Sequence, residues 1–136
     1  MNRVKVSRKA HFNAAHRLYR KDWTDEQNEA HFGKCSNPHF HGHNYELIVS
    51  VTGEIDPNTG YVMDMKILKD HIKAEVEDAF DHKNLNLEVP EFVDLIPTAE
   101  NIVVVIHQKL KKILTKGQTL EVVLYETPRN FVSYSE

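Results

Sequence analysis

The chain has 136 residues, 40% of them apolar and 27% charged, with 17 basic against 20 acidic side chains for a net charge of −3. Such a length is one domain's worth, here residues 1–136, and can bury a core without a disulfide or metal staple. The mix excludes a disordered chain, the acidic balance argues against a nucleic-acid binder, and no apolar run approaches the ~20 residues of a membrane span.

The N-terminus, MNRVKVSRKAHF, carries charge with no apolar stretch behind it, so no secretory leader is expected there. One cysteine cannot close an internal disulfide, which suits a reducing, cytoplasmic setting. Nine histidines are the conspicuous feature, since histidine is both the commonest metal ligand and the usual acid–base group near neutral pH.

Val4 to Phe12 alternates polar and apolar residues and predicts a strand. Trp23 to Glu29 predicts a short helix capped by Thr24. Cys35-Ser36-Asn37-Pro38 is loop chemistry. His41 to Gly53 places Tyr45, Leu47, Val49 and Val51 on one face of a second strand. After the turn Asp56-Pro57-Asn58-Thr59-Gly60, Tyr61 to Met65 reads as a further extended run. Ile67 to Phe80 has helical apolar spacing, with Asp64 as a cap. A polar loop, Asp81 to Asn86, follows. The next helix opens after Pro97 with Thr98 as N-cap and Glu100 in the first turn, runs through Leu110 or Leu114, and ends near Gly117. Leu120 to Leu124 and Phe131 to Tyr134 close the chain as two strands. The order predicts an α+β fold, a largely antiparallel sheet with helices on one face. Its open edges predict a homo-oligomer.

His41-Gly42-His43 opens the second strand, and side chains at i and i+2 point the same way, so two imidazoles can reach one ion. Gly42 faces the other way and leaves room for a close approach. His16 is the natural third ligand of a zinc site, because Ala14 and Ala15 let its segment pack beside the second strand. His39-Phe40-His41 has the same spacing, but the phase of Tyr45 and Leu47 favours His41 and His43. Cys35, beside Lys34 in a loop, reads as a base or nucleophile if a nearby cation lowers its pKa, as a fourth zinc ligand, or as an inert thiol. Asp81-His82 is either a proton-handling pair or a helix-terminal acid beside a surface histidine. Glu126, at the end of Val122-Val123-Leu124-Tyr125, is either a bidentate grip for an amino-pyrimidine edge or a solvated strand end.

The segments Phe12-Asn13-Ala14-Ala15-His16-Arg17-Leu18, Phe32-Gly33-Lys34-Cys35-Ser36-Asn37-Pro38, His41-Gly42-His43-Asn44-Tyr45, Gly53-Glu54-Ile55-Asp56-Pro57, Asp81-His82-Lys83-Asn84-Leu85-Asn86, Pro97-Thr98-Ala99-Glu100-Asn101 and Tyr125-Glu126-Thr127 occur in that order. Together they resemble the 6-pyruvoyl-tetrahydropterin synthase family over nearly the whole chain. The resemblance implies the tunnelling fold, a four-stranded antiparallel sheet with two helices on one face, assembled as trimers that stack into hexamers. It implies Zn2+ held by His16, His41 and His43. Cys35 is then the catalytic base, and Asp81 and His82 form a relay supplied by a neighbouring subunit. Glu126 anchors the pterin ring, helped by Thr98 and Glu100. The implied substrate is 7,8-dihydroneopterin triphosphate, with Arg17, Arg20, Lys21 and Lys34 as candidates for the triphosphate. Five residues separate Cys35 from His41, which resembles the enzymes that make 6-pyruvoyl-tetrahydropterin. The 6-carboxy-tetrahydropterin synthases, which release acetaldehyde, typically have a shorter spacing. A non-catalytic zinc module closed by Cys35, and a zinc-free pterin aldolase, are the rival readings.

Overall fold

The chain builds its site from two long strands laid side by side. In the computed structural model, which describes residues 2–136, β1 (Arg3–His16) leads through α1 (Asp25–Phe32) into β2 (His41–Glu54). Next come α2 (Met65–Ile72), a π-helical stretch Lys73–Glu77, α3 (Asp78–Phe80), β3 (Lys83–Asn84) and α4 (Leu85–Glu88). The chain closes with α5 (Ala99–Leu110), β4 (Thr119–Tyr125) and β5 (Phe131–Ser135). Among the described residues no helix is long and apolar enough to cross a membrane.

The sheet has five strands in the order β3-β1-β2-β4-β5. All neighbours are antiparallel except β3, which runs parallel to β1 through Ala14 and Ala15. The α+β architecture expected from the sequence is therefore present, with one strand more than the four antiparallel ones implied. The extra strand is not Tyr61 to Met65. That stretch bends into α2, because Asp64 takes extended φ and ψ and its carboxylate accepts the Lys66 amide at 2.9 Å, which starts a helix. The fifth strand is the two-residue β3, drawn from the loop Asp81 to Asn86.

One face of the sheet is the core. Phe12 and Ala14 of β1, Tyr45, Leu47, Val49 and Val51 of β2, and Leu120, Val122 and Leu124 of β4 are all buried there. Leu68, Ile72, Val76 and Phe80 cover them from the α2–α3 side, and Ile102, Ile106 and Leu110 from α5. Strand alternation continues this same face into His16 at the end of β1 and His41 and His43 at the start of β2. The buried apolar row thus ends in three imidazoles.

Loop anchors hold the ends in place. Thr24 and Gln27 form a reciprocal capping box at α1. Asn28, buried, receives the Arg20 amide and donates to the Arg20 carbonyl, at 2.8 and 3.0 Å. Asn86 clamps both sides of Arg17 in the same way, at 2.8 and 2.9 Å.

Candidate metal centre and its surroundings

The register of the β1–β2 ladder sets the site. His16 lies directly opposite His41, and Ala14 opposite His43. Facing positions on an antiparallel pair bring side chains within reach of one another. The small side chain of Ala14 leaves its half of the row to the His43 ring. The centroids of His16 and His41 are 4.5 Å apart, and each is 5.1 Å from that of His43. One ring nitrogen from each residue falls in a group whose atoms all lie within 4.8 Å of one another. His39 and Cys35 are not members of that group, so the strand phase that favours His41 and His43 over His39 matches the geometry. Gly42 does not serve a close approach: a Cβ there would meet the Ala14 carbonyl oxygen at 3.4 Å, an ordinary contact.

The electrostatics suit a cation. His16 is fully buried, and that burial lowers its pKa to about 4, with the neighbouring His41 and His43 adding to the effect. His41 is lowered for the same reasons, burial first and His43 next, against an opposing pull from Glu126. Near neutral pH the His16 ring is neutral and carries a lone pair. The Pro97 carbonyl lies 2.8 Å from His16 Nδ1, so that nitrogen bears the hydrogen and Nε2 is left as donor to a metal. Three imidazole nitrogens with one ring pinned by a backbone carbonyl are a donor set that fits Zn2+.

Glu126 stands beside this group, with Oε2 4.0 Å from His16 Nε2. With the ring neutral that separation is not an ion pair. The turn Thr127 to Asn130 aims the carboxylate inward: the Glu126 amide donates to the Asn130 carbonyl at 3.0 Å. Thr98 follows Pro97, and its hydroxyl accepts the Asn101 amide at 3.2 Å as the cap of α5. It therefore sits one residue from the carbonyl that holds His16. Glu100 is exposed in the first turn of the same helix.

Cys35 lies in a short 3-10 turn, Gly33–Ser36, rather than in open loop. The turn is fastened to the segment just past His16. The Leu18 amide donates to the Cys35 carbonyl at 2.8 Å, and Arg17 Nε donates to the Ser36 carbonyl at 2.7 Å. The thiol is half-buried. Two residues on, the chain turns sharply into β2. Asn37 receives the His39 amide on its side chain and the Phe40 amide on its carbonyl, at 2.9 and 3.0 Å. Phe40 adopts φ 67°, a left-handed conformation that is costly for a bulky residue, immediately before His41.

Asp81 and His82 form a pair of their own. The Asp81 carboxylate accepts the Asn13 amide at 2.8 Å and faces His82 Nδ1 at 2.9 Å. Those two contacts, amide first, hold the Asp81 carboxyl below its usual range. His82 has φ 60°, and its amide donates to the Asn13 carbonyl at 2.6 Å. Its side chain is 83% exposed. Among the described residues no hydrogen bond or ion pair joins this pair to the three imidazoles of the same chain.

The basic residues divide. Arg20 is bound to Asp22 at 2.6 Å, and Lys21 donates to the Val93 carbonyl at 2.7 Å. Arg17 and Lys34 line a cavity of about 710 Å³ with Ser36, Asn37 and His39, but Asp25 and Glu29 share its wall. Sequence reading missed two partners of His16, the Pro97 carbonyl and the Tyr45 hydroxyl, which lies 3.2 Å from Nδ1. Neither has a local signal, since Pro97 is 81 residues away in sequence.

The profile of the family described as "6-pyruvoyl tetrahydropterin synthase" matches residues 5–136. A 6-pyruvoyl tetrahydrobiopterin synthase of Pongo abelii is 49% identical over 131 residues, 96% of this chain and 90% of that protein. Its counterpart in Homo sapiens is 47% identical over the same shares. A 6-carboxy-5,6,7,8-tetrahydropterin synthase of Rickettsia felis is 28% identical over 147 residues, 95% of this chain and 98% of that protein. Among solved structures, 6-pyruvoyl tetrahydropterin synthase from Caenorhabditis elegans superposes with a TM-score of 0.92 at 36% identity, covering 100% of this chain and 97% of that one.

Proposed function

The chain belongs to the 6-pyruvoyl tetrahydropterin synthase family, and from that premise we propose that it converts 7,8-dihydroneopterin triphosphate to 6-pyruvoyl-tetrahydropterin with loss of triphosphate. The observation that carries the reading is the group of three imidazoles at facing strand ends, with Nε2 of His16 left free by the Nδ1 contact to Pro97. His16, His41 and His43 would hold Zn2+, whose Lewis acidity suits the two hydroxyls of the substrate side chain.

Cys35, on the turn fastened beside His16, removes a carbon-bound proton. The electron pair from the ring-adjacent carbon passes to the ring imine, which gains two hydrogens; loss of a second proton from the neighbouring carbon expels triphosphate, and the two hydroxyl-bearing carbons become carbonyls as the terminal carbon becomes a methyl group. No outside oxidant or reductant is needed, because the ring is reduced as the side chain is oxidised. Glu126 grips the amino-pyrimidine edge of the pterin through paired hydrogen bonds, helped by Thr98 and Glu100 at the start of α5. Asp81 and His82, exposed on the sheet edge, move a proton for the site of a neighbouring subunit. Arg17 and Lys34 are the triphosphate candidates favoured by the cavity they share.

Two features support assembly into a homo-oligomer, a hexamer of two stacked trimers. Among the described residues the ladder on the outer edge of β1 is the two-residue pairing of Ala14 and Ala15 with β3, and β5 forms the other edge of the sheet. The lone cysteine is free, as suits a cytoplasmic protein.

The product is tested by mass. The zinc-loaded chain incubated with 7,8-dihydroneopterin triphosphate is expected to yield 6-pyruvoyl-tetrahydropterin. A 6-carboxy-tetrahydropterin with acetaldehyde would instead assign it the reaction named for the 28%-identical relative. Zinc bound without turnover would favour a binding module.

A further inference from the structure

Tyr45 stands where the core meets the site. It follows His43 by two positions and His41 by four on β2, so all three side chains share one face. Its ring is fully buried and stacked on Phe12, with centroids 4.8 Å apart and planes at 14°. It meets His43 and His16 edge-on, at 5.5 and 6.0 Å. Its hydroxyl lies 3.2 Å from His16 Nδ1 and 3.5 Å from Nε2, and among the described residues it has no other hydrogen-bond partner.

That placement is chemically specific. His16 Nδ1 gives its hydrogen to the Pro97 carbonyl at 2.8 Å, and the phenol oxygen lies against the same nitrogen at 3.2 Å. A phenylalanine would stack on Phe12 equally well and leave no polar atom to satisfy. A buried hydroxyl without a good partner is costly, so its presence here points to work done at the imidazole.

We propose that Tyr45 is a positioning residue for the three-imidazole site: its hydroxyl, together with the Pro97 carbonyl, clamps the His16 ring so that Nε2 faces His41 and His43. The proposal rests on reading those imidazoles as the zinc holder.

Tyr45→Phe in the full chain tests it, because the stacking ring remains and only the oxygen is lost. Zn2+ affinity measured by competition with a chromophoric chelator is expected to fall about 10–100-fold, the usual effect of removing a ligand's orienting partner. The ligand-field bands of the Co2+-loaded variant are expected to shift, while the melting temperature of the metal-free form changes little. A folded Tyr45→Phe chain with parental Zn2+ affinity and parental Co2+ spectrum overturns the proposal. Should that variant not fold, the metal-free parent answers the question by long-range 1H–15N NMR. His16 protonated at Nδ1, with a cross-peak from the Tyr45 hydroxyl proton to its ring, supports the clamp; protonation at Nε2 or a missing cross-peak refutes it. A parent chain that binds no Zn2+ counts against the proposed function, and the NMR result then judges the clamp by itself.

Discussion

His16 shows how much one buried ring can be asked to do. Burial keeps it neutral down to about pH 4, against an ordinary value of 6.5. The folded state therefore resists a proton that the unfolded chain accepts, so this residue's contribution is fully present above pH 6.5 and is lost as pH falls toward 4. The unfolding free energy of the metal-free protein, read from urea titrations, is expected to drop across that window by roughly 3 kcal/mol at most. A flat profile there, or a sloping one that persists unchanged in His16→Ala, would contradict the burial account. Cys35→Ala is expected to lose at least about 100-fold in turnover while still binding zinc, the size of a lost general base. Near-parental rates in that variant would remove Cys35 from the chemistry. The facing of His41 and His43 was legible because the alternation of Tyr45, Leu47 and Val49 sets the strand phase. What orients the ring opposite them was not legible. The Pro97 carbonyl and the Tyr45 hydroxyl reach His16 through tertiary packing, and Tyr45 in sequence reads only as one more core aromatic.

Among the elements, those with strong periodicity or caps were readable and those made by contact were not. β2 and α5 follow from alternation and from the Pro97-Thr98 start. β1 runs on to His16, beyond the Phe12 limit expected, because Asn13, Ala14 and Ala15 lack apolar alternation yet pair with Asn44, His43 and Gly42. β3 has no pattern at all: two residues become a strand because Ala14 and Ala15 offer them a free edge. The helix expected over Ile67 to Phe80 is present but widened through Lys73–Glu77, a shift in hydrogen bonding that apolar spacing does not encode. The start of α5 matters to the site, since its cap lies next to Pro97. Thr98→Ala is expected to destabilise the fold by about 1 kcal/mol, as lost caps do. It should also loosen the hold of the Pro97 carbonyl on His16 and so weaken Zn2+ binding, read by chelator competition. Unchanged stability together with unchanged affinity would show that the cap and the site are independent.

At the scale of the whole molecule, the sheet gathers the imidazoles at one end and sets the Asp81–His82 pair apart from them. The three imidazoles, Glu126 and the Cys35 turn meet at one end of the sheet, while Asp81 and His82 project from its edge. In the proposed assembly the two outer strands would each offer a pairing surface to a neighbour. Light scattering after gel filtration is expected to give six chains per particle; a monomer active at high dilution would break the link between assembly and catalysis. The open edges were legible in the order of the elements, because a short sheet that does not close leaves two outer strands; the two-residue β3 that forms one of them was not.

The most direct measurement strips the metal and titrates Zn2+ back while following triphosphate release from 7,8-dihydroneopterin triphosphate. Turnover is expected to rise in proportion to added Zn2+, level off at about one ion per chain as a single three-imidazole site requires, and stay silent at full occupancy in Cys35→Ala. Turnover that persists in the stripped protein, or that recovers fully in His43→Ala, would contradict a zinc centre built from His16, His41 and His43.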